Sequence, residues 1–110
     1  MNPRRVHHLM SLHFPPYDQQ RGEWRILMRG PTCPPELVEA FLRETFVNAP
    51  VVVEIHRKLG DMLPIEQAVS LITPHVGHAN IRIANRSFSI FGVIAQAGVV
   101  LSWRKDLGAC

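Results

Sequence analysis

The sequence predicts an α+β fold: a two-layer sandwich in which a mixed sheet of five to six strands carries two helices on one face. Three observations lead there. Several short stretches alternate apolar and polar residues, as half-buried strands do. Two stretches repeat their apolar residues at helical spacing instead. Pro and Gly separate these stretches at almost every boundary. The expected order is β-β-α-β-α-β-β-β.

From Arg5 to Phe14 the pattern alternates, with Val6, His8, Met10, Leu12 and Phe14 on one face. That spacing predicts a strand, stopped by Pro15-Pro16. After a loop over PPYDQQRG, Trp24, Ile26 and Met28 point inward and Glu23, Arg25 and Arg29 outward. A second strand, antiparallel to the first, is expected. Gly30-Pro31 ends it. Cys33-Pro34-Pro35-Glu36 opens a helix, because Pro fits a first turn whose N–H groups have no intrahelical partner. Leu37, Val38, Phe41, Leu42 and Thr45 form its inner stripe, and Asn48-Ala49-Pro50 closes it.

Val51-Val52-Val53-Glu54-Ile55 is a β-branched run suited to a central strand. His56 to Gly60 reads as a basic loop, with Asp61 as the cap of the second helix. Ile65, Ala68, Val69 and Ile72 supply the apolar stripe of that helix, Pro64 its first turn, and Pro74 and Gly77 its end. Three strands follow. Ile81 and Ile83 face inward on the first, Asn85-Arg86 turns into Phe88 to Ile94, where Gly92 suggests a bulge, and Val99, Leu101 and Trp103 share one face of the last.

A chain of 110 residues is one small domain by size. Apolar residues at 46% and charged residues at 19% exclude a disordered tail. Ser87 to Trp103 carries no charge, but it is shorter than a membrane span and holds Gln96, serines and glycines; two strands around a turn are expected, and no membrane span. The opening MNPRRVHHLMSLHF has no continuous apolar core or small-residue cleavage site, so no secretory signal is expected. Cys33 and Cys110 form neither a disulfide framework nor a zinc pattern. Their placement suits a cytoplasmic or other reducing intracellular compartment.

Four features bear on function. Cys33 stands where a helix dipole would lower a thiol pKa. The segment Arg29-Gly30-Pro31-Thr32-Cys33-Pro34-Pro35-Glu36 resembles the Cys-Pro-x-Pro helix start of small sulfur-relay carriers, although the second Pro is one place early and two strands precede it. That resemblance implies a persulfide-carrying thiol at Cys33. It also resembles a thioredoxin-like site, without the second Cys three residues on.

His7, His8 and His13, and His75 with His78, have spacings that zinc can use, but no carboxylate or Cys stands nearby to complete a set. No metal or cofactor is expected. There is no phosphate-binding Gly loop, G-x-S-x-G or H-E-x-x-H, and no enzymatic activity is expected.

Net charge is +3, from ten Arg and two Lys against nine acids. Arg25 and Arg29 lie on one side of a strand, about 13 Å apart. With Arg57, Lys58 and Arg82 they would make a basic sheet face able to track phosphates in RNA. Finally, the last hairpin is apolar on both faces. Phe91, Val93, Val100 and Trp103 are therefore expected to offer a surface to another protein chain, in a homo-oligomer or larger complex. Val100→Lys would then weaken assembly and spare the fold, whereas Leu101→Lys would unfold it. The sequence thus favours a non-enzymatic protein-interaction module, with RNA binding and a Cys33 thiol carrier as alternatives.

Overall fold

The computed structural model describes residues 1–15, 24–27, 30 and 33–104. The predicted positions Pro16, Glu23, Met28, Arg29, Pro31, Thr32 and Cys110 lie outside them. The fold is α+β, with a six-stranded sheet and two of its three helices packed together on one face. In chain order the elements are α1 (Pro3–His13), β1 (Arg25–Ile26), α2 (Pro35–Phe46), β2 (Val51–His56), β3 (Leu59–Leu63), α3 (Ile65–Ile72), a 3-10 turn (Thr73–His75), β4 (Ile81–Asn85), β5 (Ile90–Ile94) and β6 (Val99–Arg104). The sheet runs β1-β6-β5-β4-β2-β3. Every neighbouring pair is antiparallel, so the mixed sheet expected from the sequence is corrected.

The pleat assigns the two faces. Val51, Val53 and Ile55 of β2, Ile81 and Ile83 of β4, Ile94 of β5 and Val100 of β6 point to the side of α2 and α3. There they meet Val38, Phe41, Leu42 and Phe46 of α2 and Ile65, Ala68 and Ile72 of α3 in one continuous core. Both helices were expected, and their buried stripes are close to those read from spacing; Leu37 is the exception, at 41% exposure. Gly92 makes no bulge. It pairs in register with Ile83 and Ser102, and an added Cβ would sit 3.2 Å from the Phe41 ring.

The first element is the largest correction. Residues 3–13 form a helix and not a strand. Positions 6, 10 and 14 satisfy a period of two and also an i, i+4 helical row, so the alternation was ambiguous. The positions that separate the two periods are His8 and Leu12, and both are exposed, Leu12 at 63%. Asn2 caps the helix, its side chain accepting from the Arg5 N–H at 2.8 Å, and Pro3 stands at its first position. α1 crosses the opposite face of the sheet from α2 and α3, over β2 and β3. It comes so close that a Cβ on Gly60 would lie 2.9 Å from Val6 and 2.8 Å from the Val53 carbonyl oxygen.

Two smaller corrections concern β3 and β1. Leu59 to Leu63 pairs with β2 as a hairpin, so Asp61 is a strand residue and Pro64 precedes α3 instead. On β1 the inward side is reversed: Leu27 is buried, while Trp24 and Ile26 are 42% and 59% exposed. Residues 87–103 form the turn and hairpin expected of them. Among the described residues no helix is long and apolar enough to cross a membrane.

Candidate functional site

Most of the hairpin side chains expected to face a partner are covered within the chain. Phe91, Val93 and Val100 are buried within the chain, at 1%, 0% and 2% exposure, and Trp103 is half-buried. Val100 belongs to the α2–α3 core. Phe91 and Trp103 stack at 5.5 Å between ring centroids, and Phe14, following α1, meets both edge-on. The count of apolar strand faces was right, but α1 supplies cover that a strand at positions 5–14 would not have given. With Val100 and Leu101 both at 2% exposure, a lysine at either position would bury an unpaired charge.

Cys33 is likewise placed differently from its reading. α2 begins at Pro35 with Pro34 as its cap, so the thiol lies outside the helix start. It is partly buried against the α2–α3 core, and its hydrogen bond goes to the Pro34 carbonyl oxygen at 3.7 Å. Burial pushes its pKa up, the opposite of what a reactive carrier thiol needs. Among the described residues no three His, Cys, Asp or Glu side chains converge as a metal site.

The cations divide by partner. Arg25 bonds Glu44 at 2.9 Å, which places it on the α2 side and not on an open sheet face. Arg43 bridges Glu39 and Glu66, both at 3.0 Å, and these carboxylates hold its guanidinium above the ordinary arginine range. Arg82 does point to the α1 side, but Glu54 takes it up. Its Nε donates to Glu54 Oε1 at 2.9 Å and its Nη2 bonds the same oxygen. The guanidinium also lies 5.6 Å from the Phe14 ring centroid, a cation–π distance.

Glu54 anchors the α1 side. It is a buried carboxylate on a central strand, facing Arg82 in register across the β2–β4 pair. Its second oxygen meets His7 Nδ1 of α1 at 2.7 Å. A buried carboxylate needs such partners, because desolvation without them costs several kcal/mol. The sequence showed Glu54 as the one charge inside a β-branched run, which was the signal for this contact.

Around this anchor, α1 has a groove on each flank. One, of about 420 Å³, is lined by Pro3, Arg4, His7, Arg57 and Lys58. The other, of about 410 Å³, has Leu9, Val52, Met62 and Phe88 as its apolar lining and Arg5, Arg86 and His13 as its basic one. Arg4, Arg5, Arg57, Lys58 and Arg86 are all exposed, and none has a carboxylate partner among the described residues. The acids nearest α1 are engaged: Glu54 as above, and Asp61 of the edge strand β3 by the Met1 amine at 2.8 Å. That hydrogen bond holds the Asp61 carboxyl below the usual range.

Of the five basic residues read from the sequence, Arg57 and Lys58 therefore belong to this surface, Arg25 and Arg82 do not, and Arg29 is outside the described residues. Arg4, Arg5 and Arg86 were missed. Arg5 was placed at the start of a strand and Arg4 before it; the helix includes both and brings them to its two flanks. No family model matches the chain, and neither a curated protein nor a solved structure is significantly similar to it.

Proposed function

We propose that the chain is a non-enzymatic binding module whose partner is a nucleic acid, held on the α1 side of the sheet. One observation carries this reading: Arg4, Arg5, Arg57, Lys58 and Arg86 flank a single helix, exposed and without carboxylate partners among the described residues. Uncompensated like charges repel one another and disfavour the compact state. A polyanion relieves that repulsion and gains from counterion release on binding. The two grooves beside α1 give the phosphates recessed positions on both of its flanks.

A salt series tests the reading. Fluorescence anisotropy of a labelled oligonucleotide should give a log affinity that falls linearly with log salt, with a slope of about −2 to −4 for three to five phosphate contacts. No binding at low salt, or a flat dependence, contradicts it.

A second reading rests on Ile26, 59% exposed on β1, the terminal strand of the sheet among the described residues. An exposed apolar edge invites pairing with a second chain. This moves the expected homo-oligomer contact from the hairpin to β1. Light scattering tests it: a mass that halves on Ile26→Lys supports it, and a monomer at high concentration rejects it.

A further inference from the structure

We infer that the groove between α1 and the β4–β5 turn takes the base and phosphate of one unpaired nucleotide, which makes the partner a single strand; this rests on the nucleic-acid reading above. The groove combines two chemistries, of which the opposite flank, lined by Pro3, Arg4, His7, Arg57 and Lys58, has only the basic one. Its lining includes Phe88, Leu9, Val52 and Met62, an apolar surface suited to a base. Arg5 of α1 and Arg86 of the turn contribute to the same lining, exposed and without carboxylate partners among the described residues, and are suited to a phosphate. Its volume of about 410 Å³ falls in the range of small-molecule pockets, about 300–1,000 Å³.

Phe88 is held there at a cost. It adopts φ +54°, a left-handed backbone that a bulky side chain rarely takes. The turn that imposes it is fixed by Asn85, whose Oδ1 accepts from the Ser89 N–H at 2.8 Å and the Ile90 N–H at 3.0 Å. The Phe88 N–H bonds the Asn85 carbonyl oxygen at 3.0 Å. The result places the Phe88 ring against His13 of α1, with centroids 5.4 Å apart and planes tilted by 47°. Backbone strain that presents a half-buried aromatic ring in the groove lined by Arg5 and Arg86 suits a stacking platform. Bases in a duplex are already stacked and paired, so only an unpaired one can use such a platform.

The experiment compares a fluorescein-labelled oligoadenylate RNA with the same strand annealed to its complement, by anisotropy at low salt. The wild type should prefer the single strand by about tenfold, the effect of stacking one base. Phe88→Leu should abolish that preference, Phe88→Tyr should restore it, and circular dichroism should show both variants folded. If Phe88→Leu does not fold, Arg86→Ala, an exposed position, takes its place and should weaken the single strand more than the duplex. Equal affinity for both forms in the wild type overturns the inference and leaves the general nucleic-acid reading standing. So does an unchanged preference in Phe88→Leu or, where that variant does not fold, an equal loss on both forms in Arg86→Ala. Failure to bind either form removes the general reading and the groove with it.

Discussion

The two faces of one sheet are built on different principles. On the α2–α3 face, aliphatic side chains from β2, β4, β5 and β6 meet the two helices in a continuous apolar core. Three carboxylates beside that core have cationic partners: Glu39 and Glu66 share Arg43, and Glu44 takes Arg25. On the α1 face the apolar cluster is smaller, centred on Val6, Met10, Val52, Ala84 and Phe91. Glu54 is buried on that side, and Arg4, Arg5, Arg57, Lys58 and Arg86 are exposed around α1 without acidic partners among the described residues. The larger apolar cluster is on the first face. The second has the smaller apolar cluster, and on the proposed reading its exposed cations attract an anion. Separation of a well-packed side from an electrostatically unfinished side is the argument for placing function at α1.

The comparison is broken most severely by opening the apolar core. Phe41 of α2, 3% exposed, packs against Gly92. Phe41→Ala should lower unfolding free energy by about 3–5 kcal/mol, read by urea denaturation. A loss below about 1 kcal/mol would mean that α2 is not the main cover of the sheet. Removing the anchor on the other face should cost less and act locally. Glu54→Ala leaves Arg82, itself only partly exposed, without its carboxylate, at a cost of about 3 kcal/mol. Amide exchange should then accelerate in α1 before it does in α2. Uniform acceleration over both helices would show that α1 is not held separately.

The smallest expected effect belongs to Asp61, which ties the N-terminal amine to β3. Asp61→Asn should cost less than about 1 kcal/mol, since the pair is exposed. Its pH dependence has a definite sign. The folded carboxyl titrates below its ordinary value, so its contribution is complete above about pH 4 and disappears as pH falls through the lower folded value. Stability curves of the parent and Asp61→Asn should therefore converge in acid. A constant gap down to the lowest pH would rule out the ion pair as its source.

These faces were unequally legible in the sequence. The α2–α3 face could be read because spacing decides it: Ile65, Ala68 and Ile72 fit a helix and no other element, and Ile81 with Ile83 fits a strand. The α1 face was obscured by one coincidence, Val6, Met10 and Phe14 lying on both periods. The capping signal Asn2-Pro3 separated them, and it outweighs alternation when the exposed positions include Leu12 and His8. Reading that helix as a strand removed the cover from Phe91 and Trp103 and turned core residues into an expected interface. It also left Arg4 outside the element that carries Arg5. Arg82 and Glu54 could not be paired from sequence, because their contact depends on the β2–β4 register, which spacing alone does not fix.

The central claim is that position, and not net charge, makes the α1 side the binding surface. Two double variants remove the same charge from opposite sides: Arg57→Ala with Lys58→Ala beside α1, and Arg25→Ala with Arg43→Ala on the α2 side. Affinity for a labelled single-stranded RNA, measured over a salt series, should fall in the first variant, with a salt slope shallower by about 1.4 for two lost phosphate contacts. The second should bind with the parent's slope. Equal losses of affinity and slope in both variants would contradict the account, since they would show attraction to the whole charge of the chain and no surface set apart for the task.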